Sequence, residues 1–183
     1  MQKNTALIVY ATVHGQAELV ARRIAEAAPE WQLHATVQDV RKTSAADLGQ
    51  YGAIILVASV HYGRHQRSMA RFVTRNRERL SRMHSAFISV SGDAGAPATR
   101  PRAEEYVREF FRVTGWTAAE HLVAAGAVKF TKYNFLQRYM TRRAFAEKGL
   151  QLDPRRDYEY TDWESVMRFA KAFLLSERDV RVA

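Results

Sequence analysis

Apolar positions along the chain fall into two alternating rhythms. Residues 5–11 form an unbroken apolar, β-branched run of strand length, as expected for a strand buried on both faces of a parallel sheet. Ala17, Val20, Ala21, Ile24, Ala25 and Ala28 then recur at helical spacing, and Pro29 ends the pattern. Residues 31–37 alternate as a second strand, and 52–59 read as a third, fully buried one. Met69, Phe72, Val73, Asn76 and Leu80 mark one stripe of the next helix. Residues 85–91 give strand four, and Pro101 opens a helix that turns Ala103, Tyr106, Val107, Phe110 and Phe111 inward. Strand five is predicted at 121–128. The last helix is predicted from a capping box at Thr161 and Glu164, followed by Val166, Met167, Ala170, Phe173 and Leu174.

Strands alternating with helices predict an α/β fold in one domain spanning 1–183: a right-handed, doubly wound, five-stranded parallel sheet. Ligands of such sheets lie beyond the carboxyl ends of the strands, which directs attention to the loops after strands one, three and four. Residues 129–160 break the rhythm. About thirty residues stand where a loop of ~2–6 is usual, so the segment is predicted to be a functional insertion. Tyr133, Leu136, Met140 and Ala144 share one helical stripe there, with Phe135 and Tyr139 alongside.

Charge sharpens this picture. The net charge of +9 is uneven: seven arginines lie between residues 61 and 82 against the single Glu78, and six bases lie between 129 and 148 against Glu147. The remainder carries a slight acidic excess, so two basic patches sit on a nearly neutral domain and suggest an anionic partner. The apolar content of 47% excludes a disordered chain, and the absence of cysteine excludes thiol chemistry and cysteine-held metal clusters. Redox work by this chain therefore needs a borrowed cofactor. The longest strictly apolar run, 53–58, is far below the ~18 residues of a spanning helix, and an intracellular protein that does not cross the membrane is expected.

The first loop, residues 10–17, enters its helix directly and offers a hydroxyl, one glycine and the unpaired amides of a helix start, a cradle for phosphate. It is neither a Walker A loop nor a dinucleotide fingerprint. A phosphoacceptor receiver domain fails too, because the ends of strands one and three lack acids. What survives resembles the flavodoxin FMN-phosphate loop: Ile8, Val9, Tyr10, Thr12, Gly15, Ala21 and Ile24 fall at its spacings. One position departs. Ala17 stands where that family usually has threonine, so a hydroxyl bond to phosphate, about 1.5–3 kcal/mol, is missing.

Within that superfamily the closer resemblance is to the menaquinone-dependent protoporphyrinogen oxidases of bacterial haem synthesis. Residues 57–65 (VASVHYGRH), Phe72 with Val73, the basic aromatic segment from Lys129 through Arg142, and 158–164 (YEYTDWE) carry it, and it spans roughly 6–175. The resemblance implies a flavodoxin-like sheet of order 2-1-3-4-5 and FMN held by three loops. These are Thr12, Val13, His14, Gly15, Gln16 and Ala17; Ser59, Val60, His61, Tyr62 and Gly63; and Ser91, Gly92, Asp93 and Ala94. Tyr62 is the implied ring stacker, and a protonated His14 is the implied partial substitute for the missing hydroxyl. It implies oxidation of protoporphyrinogen IX with a quinone acceptor, flavin carrying the chemistry and no side-chain acid or base. In the insertion, Lys132, Tyr133, Phe135, Arg138, Tyr139, Arg142 and Arg143 are implied to meet porphyrinogen propionates or anionic headgroups at the inner face of the cell membrane. Nucleic acid is not an implied partner, and a homo-oligomer is compatible with the pattern. Two alternatives stay open. One is a flavodoxin-type electron carrier or quinone reductase that never meets a porphyrin. The other is a cofactor-free domain using its arginines to bind nucleic acid or protein. A metal site at His61 and His65 is disfavoured, since no carboxylate is near in sequence.

Overall fold

A computed structural model describes residues 2–44, 47–132, 135, 139, 143 and 153–179. Five parallel strands make the sheet: β1 (Gln2–Ala11), β2 (His34–Asp39), β3 (Tyr51–His61), β4 (His84–Ser91) and β5 (Glu120–Ala125). Their spatial order is β2-β1-β3-β4-β5, the 2-1-3-4-5 arrangement expected from the sequence. Helices α1 (Gln16–Ala27), α2 (Arg67–Arg75), α3 (Arg100–Thr114) and α4 (Trp163–Asp179) cover it.

Both faces of the central strands are covered, which is why they read as continuous apolar runs. Leu7, Val9, Leu56 and Phe87 pack with Met69, Val73, Phe110 and Trp116 under α2 and α3. Ile8, Ile55, Val57 and Ile88 turn the other way, onto Val20 and Ile24 of α1 and Phe173 of α4. Phe87 and Phe110 stack at 4.7 Å between ring centroids, locking α3 onto β4.

Four boundaries differ from the sequence expectation, each for a local reason. Trp31 is not in a strand: after α1, residues Ala28–Trp31 form a 3-10 turn with Pro29 inside it, Gln32 takes φ 58°, and β2 starts only at His34. The arginine-rich helix breaks at Asn76, whose side-chain amide donates to the Phe72 carbonyl at 2.8 Å, leaving a separate helical turn at Arg77–Leu80. Strand five stops at Ala125. The Gly126 amide donates to the Ser91 carbonyl, and Ala127–Lys129 then leaves the sheet to pair antiparallel with Asp157–Glu159. The cap of α4 is Asp162, whose carboxylate accepts from the Ser165 amide at 3.0 Å, and not Thr161. Thr161 is turned inward and donates to the Ala125 carbonyl at 2.8 Å.

Candidate functional site

Strands β1, β3 and β4 are neighbours, so the loops leaving their carboxyl ends lie side by side. In the first, Gly15 adopts φ 88° and its amide donates to Thr12 Oγ1 at 2.9 Å, closing a tight turn into α1. The opening amides of α1 have no carbonyl one turn earlier to bond, and the helix dipole adds positive potential there. Val13 is exposed and His14 is half-buried. Two expected site residues have buried side chains. Ala17 is fully buried against Ile8 and Val20, and Gln16 turns its amide inward.

The second loop is a hairpin that the sequence reading did not see. Val60 pairs with His65 and His61 with Arg64, and Tyr62 and Gly63 take φ 50° and 73°, so the turn is the two-residue mirror-image type. Tyr62, at its tip, is 69% exposed despite its aromatic ring. The His61 ring lies 4.2 Å from that of Tyr62 and 5.4 Å from that of His14, tying the first two loops together. Ser59 and Val60 are half-buried at the strand end, where Gln66 Nε2 donates to the Ser59 carbonyl at 3.4 Å.

The third loop starts at Ser91, which is buried yet has no hydrogen-bond partner for Oγ. A side chain added at Gly92 would meet nothing within 4 Å, so open space adjoins it. The Asp93 carboxylate accepts from Tyr106 Oη at 2.8 Å through Oδ2. Ala94 is buried. These residues suit a flavin: amides for a phosphate, an exposed ring for stacking, and a desolvated hydroxyl awaiting a polar edge. A buried hydroxyl left unbonded costs about 1–3 kcal/mol, which a ligand's polar atom removes.

The insertion begins and ends on the short antiparallel pair. Thr131 donates from both its amide and its hydroxyl to Asp157, at 3.0 and 2.8 Å. Glu159 accepts from Gln16 Nε2 at 2.9 and 3.1 Å, and Gln16 Nε2 also donates to Thr161 Oγ1 at 2.9 Å. The returning strand is thus bonded to the first residue of α1, next to the first loop. Phe135 and Tyr139 are helical, one turn apart, and 87% and 58% exposed; Arg143 is exposed as well. Tyr133, Arg138, Arg142 and the Lys132 side chain lie outside the described residues.

His65 was weighed in the sequence only as a metal ligand. Its ring is buried between Phe87 and Phe110, with Nε2 2.9 Å from Ser89 Oγ, and burial pushes its pKa down to about 3. The unfolded imidazole takes a proton near 6.5, so the unfolded state binds more protons between these values. Stability from His65 is therefore full above pH 6.5 and declines as pH falls toward 3, by about 2 kcal/mol between pH 7 and 5. Urea denaturation at the two pH values is expected to show this loss, and His65→Gln to lessen it; an unchanged slope in the variant refutes the assignment.

A family model for the flavodoxin domain matches residues 7–154. The protoporphyrinogen IX dehydrogenase (quinone) of Escherichia coli K12 is 31% identical over 166 residues, 90% of this chain and 92% of that protein. The protein of the same description from Leishmania major is 29% identical, over 94% of this chain and 75% of its own length. Among solved structures, an archaeal flavodoxin superposes with a TM-score of 0.57 at 13% identity, covering 95% of this chain and 99% of its own. Flavodoxin 1 of Bacillus cereus does so at 0.55 and 19%, covering 93% and 97%; both show the fold alone. With its sheet order, its three adjoining loops and a family match across most of its length, the chain belongs to the flavodoxin-domain family and is a homologue of protoporphyrinogen IX dehydrogenase (quinone).

Proposed function

We propose that the protein is an FMN-dependent protoporphyrinogen IX dehydrogenase that uses a membrane quinone, menaquinone in the closest reading, as electron acceptor in haem biosynthesis. The observation that carries this reading is the likeness to the Escherichia coli enzyme over 90% of this chain. The chemistry supplied by bound FMN is hydride acceptance from the porphyrinogen and delivery of the electrons to the quinone. The chain supplies position and charge. Amides of residues 13–17 hold the phosphate, Tyr62 covers the ring, and the Ser91 hydroxyl meets its polar edge. No side chain is needed as acid or base.

In the same reading the insertion, 129–160, is the part that meets the substrate's surroundings. Its exposed Phe135 and Tyr139 offer an apolar contact, while Lys132, Arg138, Arg142 and Arg143 offer charge to propionates or anionic headgroups. No helix among the described residues is long and apolar enough to cross a membrane. Attachment is therefore proposed to be peripheral, on the cytoplasmic face, with each base near an anionic surface contributing on the order of 1 kcal/mol. Sedimentation with anionic vesicles is expected at low salt and release at high salt; retention in concentrated salt would count against it.

Anaerobic titration with protoporphyrinogen IX tests the activity. The visible flavin band is expected to bleach and to return on adding a quinone. A band that bleaches with a chemical reductant but not with the porphyrinogen identifies an electron carrier instead.

A further inference from the structure

Beside the cofactor loops, on the side of the sheet covered by α2 and α3, lies a cleft of about 630 Å³, within the range of small-ligand sites. The hairpin tip at Tyr62 and Gly63 forms one rim, and Tyr106, Phe110 and Val113 of α3 form the opposite wall. Val113 is 59% exposed, an unusual setting for a valine on a helix facing a cavity. The second of the three loops supplies the rim of this cleft, and Tyr106 on its wall donates to Asp93 of the third.

Charge decides what the cleft accepts. Arg64 and Arg67 line it and are exposed. The acid on its wall, Glu109, is engaged by Arg112 through two hydrogen bonds of 2.7 Å. Among the described residues no carboxylate forms a salt bridge with Arg64 or Arg67; the Arg64 charge also acts on Glu109, but that acid's two hydrogen bonds go to Arg112, so two exposed arginines line a cleft that also has aromatic and aliphatic walls. That combination recognises an amphipathic ligand with an apolar body and two carboxylates, since guanidinium groups bind carboxylates bidentately.

We propose that this cleft is the tetrapyrrole subsite, with Arg64 and Arg67 binding the two propionates and Tyr62, Tyr106 and Val113 bordering the ring. The identity of the ligand rests on the proposed function; the existence of an anionic, apolar-ligand site rests on the cleft itself. Arg64 and Arg67 are here the residues that bind the propionates, which leaves the bases of the insertion to anionic headgroups.

The test is a fluorescence titration of the purified full chain with mesoporphyrin IX and, separately, with its dimethyl ester. The diacid is expected to bind at least tenfold more tightly than the ester. Arg64→Ala and Arg67→Ala are each expected to weaken the diacid roughly tenfold, and Val113→Asp to weaken it without changing the flavin content. Arg75→Ala with Arg82→Ala, outside the cleft, is the control and is expected to bind as the parent does. Equal binding of acid and ester, or unchanged affinity in the Arg64 and Arg67 variants, overturns the proposal even where porphyrinogen turnover proceeds. Cleft-dependent binding of mesoporphyrin IX, together with no bleaching of the flavin by protoporphyrinogen IX in the separate anaerobic titration, upholds the subsite and overturns the dehydrogenase reading instead.

Discussion

Replacing residues 133–152 by a short glycine–serine link is expected to lower quinone-coupled oxidation of protoporphyrinogen by at least a hundredfold and to leave flavin bound. The cut spares the neck of the insertion. Val128 and Tyr158 stay paired, Thr131 keeps its two bonds to Asp157, and Glu159 keeps its hold on Gln16. None of the three cofactor loops is touched. What goes is the segment carrying Tyr133, Phe135, Arg138, Tyr139, Arg142 and Arg143. Three arginines at on the order of 1 kcal/mol each, against a tenfold change per 1.4 kcal/mol, amount to about a hundredfold in attachment alone. Turnover in vesicles containing quinone, flavin absorbance and the urea midpoint are the three readouts. Undiminished turnover would remove the insertion from the mechanism; lost flavin would assign it to the cofactor site.

How much of this was legible in the sequence depends on how local each cause is. The central strands were legible because burial on both faces forces a continuous apolar run, and β1, β3 and β4 fall within a few residues of their expected bounds. Trp31 misled because its alternation with Leu33, Ala35 and Val37 is real, but a proline-containing 3-10 turn takes the first of these out of the strand. Strand five overran because nothing local marks Ala127 as paired with a residue thirty-two positions later. Thr161 reads as a cap by spacing, yet its hydroxyl bonds to Ala125 and Gln16, contacts that only the folded sheet brings near.

The site followed the same division. The turn at Thr12 and Gly15 was legible because turn chemistry is local, and the structure places that loop beside those of Tyr62 and Ser91. The hairpin was missed since Tyr-Gly lacks the Asn-Gly or Asp-Gly signature; Gly63 was the one available signal. His65 pointed inward for a reason equally short-ranged: past that turn, alternation sends Arg64 out and His65 in. The bond from Gln16 to Glu159 joins residues 143 apart and leaves no trace in either neighbourhood.

Gly15→Val is expected to cost about 1–3 kcal/mol of stability and to weaken flavin binding on the order of a hundredfold. At φ 88° a β-branched side chain is strained, because its Cβ crowds the backbone carbonyl. The strain is relieved only if the turn opens. Opening it breaks the bond from the Gly15 amide to Thr12 and swings the first amides of α1 away from a common point, which is the loss the phosphate feels. Gly15→Asn separates conformation from bulk, since asparagine tolerates the left-handed region. It is expected to keep the fold within about 1 kcal/mol of the parent and most of the flavin affinity. Urea denaturation of the flavin-free protein and fluorescence titration with FMN give the two numbers. Equal flavin affinity in the valine and asparagine variants would mean that the cradle does not depend on the geometry of this turn, and the phosphate would then have to sit elsewhere.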